Sequence, residues 1–214
     1  MFNEPFKIKD IRPIKEGMTI SRPSLLSKLI PITWFSLAKD TSISAETYSY
    51  PIIYLGNYGS GEFILDDKTV KLSNNDLLFV DEDTLCGCLS KDGLIYTEII
   101  LKEEFVMNDI IKSKEIINLK NMISYEEGSI ANLDIVHTNN MKYVLMAFDE
   151  GTGLTPHKAP GNALLTCLEG EAIIGYEGKE YKLKEGESFR FDKNGEHSVT
   201  PLTRFKMSLL LVIE

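Results

Sequence analysis

The chain has 214 residues, enough for one large or two small domains, and its 43% hydrophobic and 26% charged content is that of a globular protein with a sizeable core. A formal net charge of -9 with no dense basic patch argues against nucleic acid and anionic membrane surfaces as partners. No apolar run is long enough to span a bilayer, and the opening MFNEPFKIKD lacks the apolar core of a secretory leader, so a cytoplasmic location is expected. Cys86, Cys88 and Cys167 are an odd set with no pair-of-pairs metal spacing, which fits reduced thiols in that compartment.

Taken in order, Pro23–Leu29 predicts a short helix with Pro in its first turn. Ile32–Leu37 and Ile52–Leu55 are apolar runs of strand length. Tyr48, Tyr50, Tyr54 and Tyr58 recur at even spacing, so strand alternation predicts one tyrosine face that lines a pocket or covers a sheet-on-sheet contact. A hairpin follows: Glu62–Leu65, the turn Asp66-Asp67-Lys68, then Thr69–Leu72. The polar turn Ser73–Asp76 precedes further strands, the last being Leu94–Leu101. Glu103–Lys112 carries Phe105, Val106, Ile110 and Ile111 at helical spacing and predicts a connecting helix. Beyond it come Tyr143–Phe148 and Ala163–Leu168. A second hairpin, Ala172–Tyr176 and Glu180–Leu183, has Gly178 in its turn, where a positive backbone angle is needed. The turn Lys184–Glu187 and the strand Phe205–Val212 close the chain.

These elements repeat. Shifting the sequence by 111 positions sets Lys9 on Lys120, Glu16-Gly17 on Glu127-Gly128, Thr41 on Thr152, Gly59 on Gly170, Lys71-Leu72 on Lys182-Leu183 and Asp81 on Asp192, with no gap. A repeat of this kind decides architecture before any local assignment. It predicts an all-β chain of two tandem units, residues 1–112 and 113–214, packed together because no Pro/Gly-rich linker divides them.

The second copy carries the landmarks of a site. Gly151 is followed after five residues by His157, and Gly170 comes six residues after Ala163. Downstream, Gly186, Asp192 and His197 form a second set. This frame resembles the two signature motifs of the cupin superfamily. The first motif runs Gly, five residues, His, one residue, His, three or four residues, Glu, six residues, Gly; the second has a His in the place of His197. Ala159 stands where the second His belongs and Ala163 where the Glu belongs. In the first copy Glu46, Tyr48, Ile52 and Cys86 take the four positions, and no His lies in residues 1–112.

The resemblance implies two jelly-roll β-barrels, a bicupin, with His157 and His197 converging at the mouth of the second. Members with all three His and the Glu bind a divalent metal. Here the set is incomplete, so a Zn, Ni, Mn or Fe ion is expected to be held only weakly, by His157 and His197, and no metal is expected in the first barrel. Cys167, Asn162 and Met207 are candidate liners of the same ligand pocket, Cys167 lying deeper along the strand. His137 lies outside both motifs and reads as a strand-edge side chain. The reading is a non-catalytic protein that binds a small molecule as a sensor or accessory factor. Two alternatives stay open: a cupin enzyme of isomerase or dioxygenase type, using the metal or the imidazoles themselves, and a structural dimerisation module, since cupins often form homodimers.

Overall fold

The computed structural model describes residues 3–213. Among them only Ile8–Ile11 and the single turn Leu119–Asn121 are helical, and the rest is strand and turn, so the expected all-β class holds. The chain forms two compact units. One comprises Ile8–Glu104 with Asp109–Asn118; the other takes the residues up to Lys7, Phe105–Asn108, and the chain from Leu119 on. Residue 112, where the sequence suggests a boundary, lies inside Asp109–Asn118.

The unit that begins at Ile8 holds a branched nine-stranded sheet. The strand Asp76–Val80 (DLLFV) is buried at every position, and the long strand Ile52–Leu65 alternates only in its second half. Their side chains enclose a core in which Tyr54, Phe63 and Tyr96 pack ring to ring, with centroids 4.8 to 5.7 Å apart. The other unit holds a six-stranded and a four-stranded sheet. Its core is filled by Phe148, Phe189, Phe191 and Phe205 with Tyr176. None of the sheets closes on itself among the described residues.

The 111-residue offset survives in the backbone, including its irregularities. The strand Leu85–Ser90 is answered by Glu196–Pro201, and Thr41–Thr47 by Leu154–Lys158. A register shift falls between Ile43 and Glu46 and again between Leu154 and His157; another falls between Gly56 and Tyr58 and again between Cys167 and Glu169. Bulges of this sort re-aim the side chains beyond them. Gly59 and Gly170 both have positive φ, 68° and 82°, and at each the space a Cβ would fill is taken by a backbone carbonyl, that of Gly93 and that of Arg204. Those two carbonyls are themselves one offset apart. In the second hairpin Glu177 and Gly178 are both at positive φ, the two-residue turn whose twist matches its strands.

Three local expectations give way. Pro23–Leu29 is not a helix. The Ser24 hydroxyl accepts the Leu26 N–H, and the Ser27 hydroxyl accepts those of Leu29 and Ile30, so side chains take the donors that a helix would use. Glu103–Lys112 contains the edge strand Phe105–Met107, paired with Val136–Thr138; sheet pairing of Phe-Val-Met outweighs a short helical pattern. The tyrosines do not share a face. Tyr54 is buried, while Tyr50 and Tyr58 are each 43% exposed, because the bend after Thr47 and the bulge at Gly56 each reset the alternation.

Candidate functional site

His157 and His197 sit directly opposite each other on the antiparallel strands Leu154–Lys158 and Glu196–Pro201. Residues in register across an antiparallel pair project to the same side, and the two rings lie 4.3 Å apart at their centroids. Tyr176 is the partner of His197 on the other flank, so His157, His197 and Tyr176 form a row across three strands of the four-stranded sheet.

The two imidazoles are held alike. His157 Nδ1 is 2.8 Å from the Thr155 carbonyl and His197 Nδ1 is 3.0 Å from that of Gly195, in each case the carbonyl two residues back. A carbonyl oxygen only accepts, so Nδ1 carries a proton in both rings and donates it there, which leaves Nε2 as the free ring atom. His197 is 6% exposed and stacks on Phe191 at 4.1 Å. Burial lowers its pKa below the ordinary histidine value, and nearby His157 adds to that, although the Gly195 carbonyl works the other way. His197 is therefore neutral at pH 7. His157 is exposed.

The other expected liners are placed differently. Cys167 is wholly buried in the aromatic core, its thiol turned to the Glu169 and Gly170 carbonyls at 3.7 and 3.4 Å, and burial pushes its pKa up to about 12. Met207 is its cross-strand partner and equally buried. Asn162 begins its strand, and its side-chain oxygen accepts the Lys193 N–H at 3.1 Å. His137 is exposed on the strand Ile130–Thr138, opposite Val106.

Tyr176 and Phe191 border the pair without any signal in the cupin-like frame. The Tyr176 hydroxyl takes hydrogen bonds from Asn3 Nδ2 at 3.0 Å and from the Asp192 N–H at 3.3 Å, and Asn3 also reaches the Asp192 carboxylate at 2.9 Å. Strand alternation alone would have found Phe191, which pairs with Ala163, the position of the family's Glu.

As a metal site the arrangement offers two Nε2 lone pairs. Among the described residues no group of three or more His, Cys, Asp or Glu is placed to share an ion. That falls short of the three protein ligands of a catalytic centre, so the residues present do not fit a resident catalytic metal.

The equivalent place in the first unit has the same register, Glu46 facing Cys86, and a different chemistry. Beside it lies a cavity of about 20 Å³, room for one water, bounded by Tyr48, Tyr54, Cys86, Cys88, Tyr96 and Glu98. Glu98, 8% exposed, escaped the sequence reading because it sits in the apolar run of a central strand. Burial raises its carboxyl pKa to about 7. Burial also pushes the thiols of Cys86 and Cys88 up, to about 11 and about 12.

Comparison with known proteins adds the following. The Cupin domain family matches residues 144–213. A solved structure described as a Cupin 2 conserved barrel domain protein from Leptotrichia buccalis is 31% identical over 99% of this chain and 97% of its own, with a TM-score of 0.86. A variant of salicylate 1,2-dioxygenase from Pseudoaminobacter salicylatoxidans superposes with a TM-score of 0.70 at 10% identity, over 98% of this chain and 83% of its own. The same enzyme in adducts with gentisate gives 0.65 at 11% identity, over 95% and 76%. At such identities the likeness is one of fold. No curated protein matches the chain.

Proposed function

The chain belongs to the cupin superfamily, and from that premise we propose that it is a bicupin, two cupin barrels in tandem, whose second barrel binds a small molecule at His157 and His197 without a resident catalytic metal. The observation that carries the reading is the pair of rings 4.3 Å apart, each with its Nδ1 proton committed to a carbonyl. With Nδ1 committed to a carbonyl, Nε2 of each ring is the atom left to meet a ligand, and that of neutral His197 is a hydrogen-bond acceptor. An acceptor at His197 suits a ligand that presents donors, such as the hydroxyls of a sugar or a phenol. A divalent Zn, Ni or Mn ion would compete for the same lone pairs and be stripped by chelator.

In this reading the protein is a sensor or accessory factor. The aromatic filling beneath the histidines supports binding at the mouth of the barrel and not in its interior. A thermal-shift screen of polyols, sugars, phenols and small carboxylates, with and without Zn, Ni or Mn, tests it, because a ligand selective for the folded state raises Tm by mass action. Donor-bearing ligands are expected to raise Tm in wild type, and the rise should vanish in the double variant His157→Ala, His197→Ala. An identical response in both proteins would place binding elsewhere. One equivalent of metal retained through dialysis against chelator would favour an enzyme.

A further inference from the structure

The first unit carries a second, chemically different pocket. It is built on one face of the paired strands Thr19–Pro23 and Ile32–Leu37, where Ile20 faces Ser36 and Arg22 faces Trp34. Arg12, Pro13 and Lys15, which follow the helix Ile8–Ile11, complete it. Its volume is about 160 Å³, close to that of a cavity that admits one benzene-sized molecule. Phe35, between Trp34 and Ser36, packs against the core cluster of the unit. Alternation therefore puts this pocket on the opposite side of the sheet from that core and from the tyrosine and cysteine cavity.

Two buried donors of its lining residues lack a partner among the described residues. Trp34 is 2% exposed, and its indole N–H makes no hydrogen bond; the Nε–H of Arg12 is also buried and unbonded. The Arg12 guanidinium lies over the Trp34 ring at 4.6 Å and gives one of its other protons to the Ile11 carbonyl. Among the described residues no carboxylate pairs with Arg12, Lys15 or Arg22. Three cations thus line one pocket in a chain of net charge -9. Burial, and after it the charge of Arg22, lowers the Arg12 pKa. Leaving a buried donor unmade is costly, and a negatively charged group in the pocket would offset the crowded cations.

We propose that this pocket is a binding site for a compact oxyanion, the carboxylate or phosphate group of a small metabolite, taken by the Arg12 guanidinium beside the Trp34 ring, with Arg22 and Lys15 completing the cationic lining. Pro13 and Ile20 supply apolar wall for a small organic body next to the charged group. The guanidinium suits planar oxyanions, which it can meet with two parallel hydrogen bonds. This site is independent of the two histidines.

Trp34 is the sole tryptophan of the chain, so its emission reports on the pocket directly. The full-length protein is titrated with acetate, benzoate and inorganic phosphate at constant ionic strength, with chloride as the balancing anion. A saturable change in emission is expected with at least one of them: a response to acetate or benzoate identifies a carboxylate site, and a response to phosphate alone a phosphate site. Arg12→Met and Arg22→Gln should each raise Kd about tenfold or more, the worth of one charge-assisted hydrogen bond or close ion contact. Arg22 is exposed, so Arg22→Gln leaves the fold intact and decides the matter if Arg12→Met fails to fold. The double variant His157→Ala, His197→Ala should bind the anion as wild type does. No saturation with any of the three anions, a response that chloride reproduces, or wild-type affinity in Arg22→Gln would each overturn the proposal.

Discussion

The Phe191 ring lies nearly flat on the His197 imidazole, 4.1 Å away and tilted by 20°. This contact makes His197 both a core residue and the inner half of the candidate site. It also fixes a sign for pH dependence. The folded-state pKa of His197 is depressed, so its contribution to stability is present above the ordinary histidine value and is lost as pH falls through the folded value. Phe191→Ala should cost about 3–5 kcal/mol of unfolding free energy. It should also admit water to His197 and move its pKa back up. Denaturant unfolding reads the first effect and an NMR titration of the ring protons the second; an unmoved His197 titration would show that Phe191 does not set its environment.

Glu98 should act in the opposite direction. Its folded pKa is raised to about 7 from an ordinary 4.5, so its contribution is fully present below the unfolded value and is lost as pH rises through about 7. The difference corresponds to about 3 kcal/mol between the two limits. Glu98→Gln, which keeps the shape and removes the charge, should leave stability at pH 4 nearly unchanged and increase it at pH 8 by up to that amount. Urea midpoints of both proteins across that range check it, and parallel curves would refute it.

Much of this was legible in the sequence because a repeat needs no knowledge of packing. The offset that aligns Gly59 with Gly170 also aligns their close carbonyl neighbours, and the resemblance of the frame around His157 and His197 to the cupin motifs implied their convergence. What failed were inferences that extended alternation through a strand. One extra residue at Gly56 sends Tyr58 outward from a strand in which Tyr54 points in. Alternation did hold from Ala163 through Leu165 to Cys167, which share one buried cluster, because the matching irregularity comes only after Cys167. Glu98, Tyr176 and the Arg12–Trp34 pair gave no signal, since a lone polar residue in an apolar run, or two residues 22 positions apart, become a site only when strands are paired.

The two glycines give a symmetrical test of the repeat. Gly59→Ala and Gly170→Ala would each force a side chain into positive φ and against a carbonyl, of Gly93 and of Arg204. Each should cost about 2 kcal/mol or more, from backbone strain and the clash together. Gly178→Ala, with open space around its Cβ, should cost less. Thermal unfolding of the three variants ranks them; a Gly178→Ala loss equal to the other two would mean that the carbonyl approach is irrelevant.

The thiols should be silent in the folded protein. Cys86, Cys88 and Cys167 are buried, with pKa values pushed up by that burial to about 11, about 12 and about 12. The thiolate is the nucleophile, and at pH 8 a thiol of pKa 11 or above is ionised in only about one molecule in a thousand. Burial also denies the reagent a path. An aromatic disulfide reagent should therefore label none of the three at pH 8 in native protein and all three in guanidinium chloride. If labelling follows local opening, Cys86 should react first, because it lies beside the small cavity and its strand Leu85–Ser90 begins at an exposed Leu85. Mass spectrometry of partly labelled protein gives the order. Fast native labelling of Cys167 would contradict its place in the second unit's core, on the strand between Ser188–Phe191 and Phe205–Val212, and would reopen it as a reactive group near the histidines.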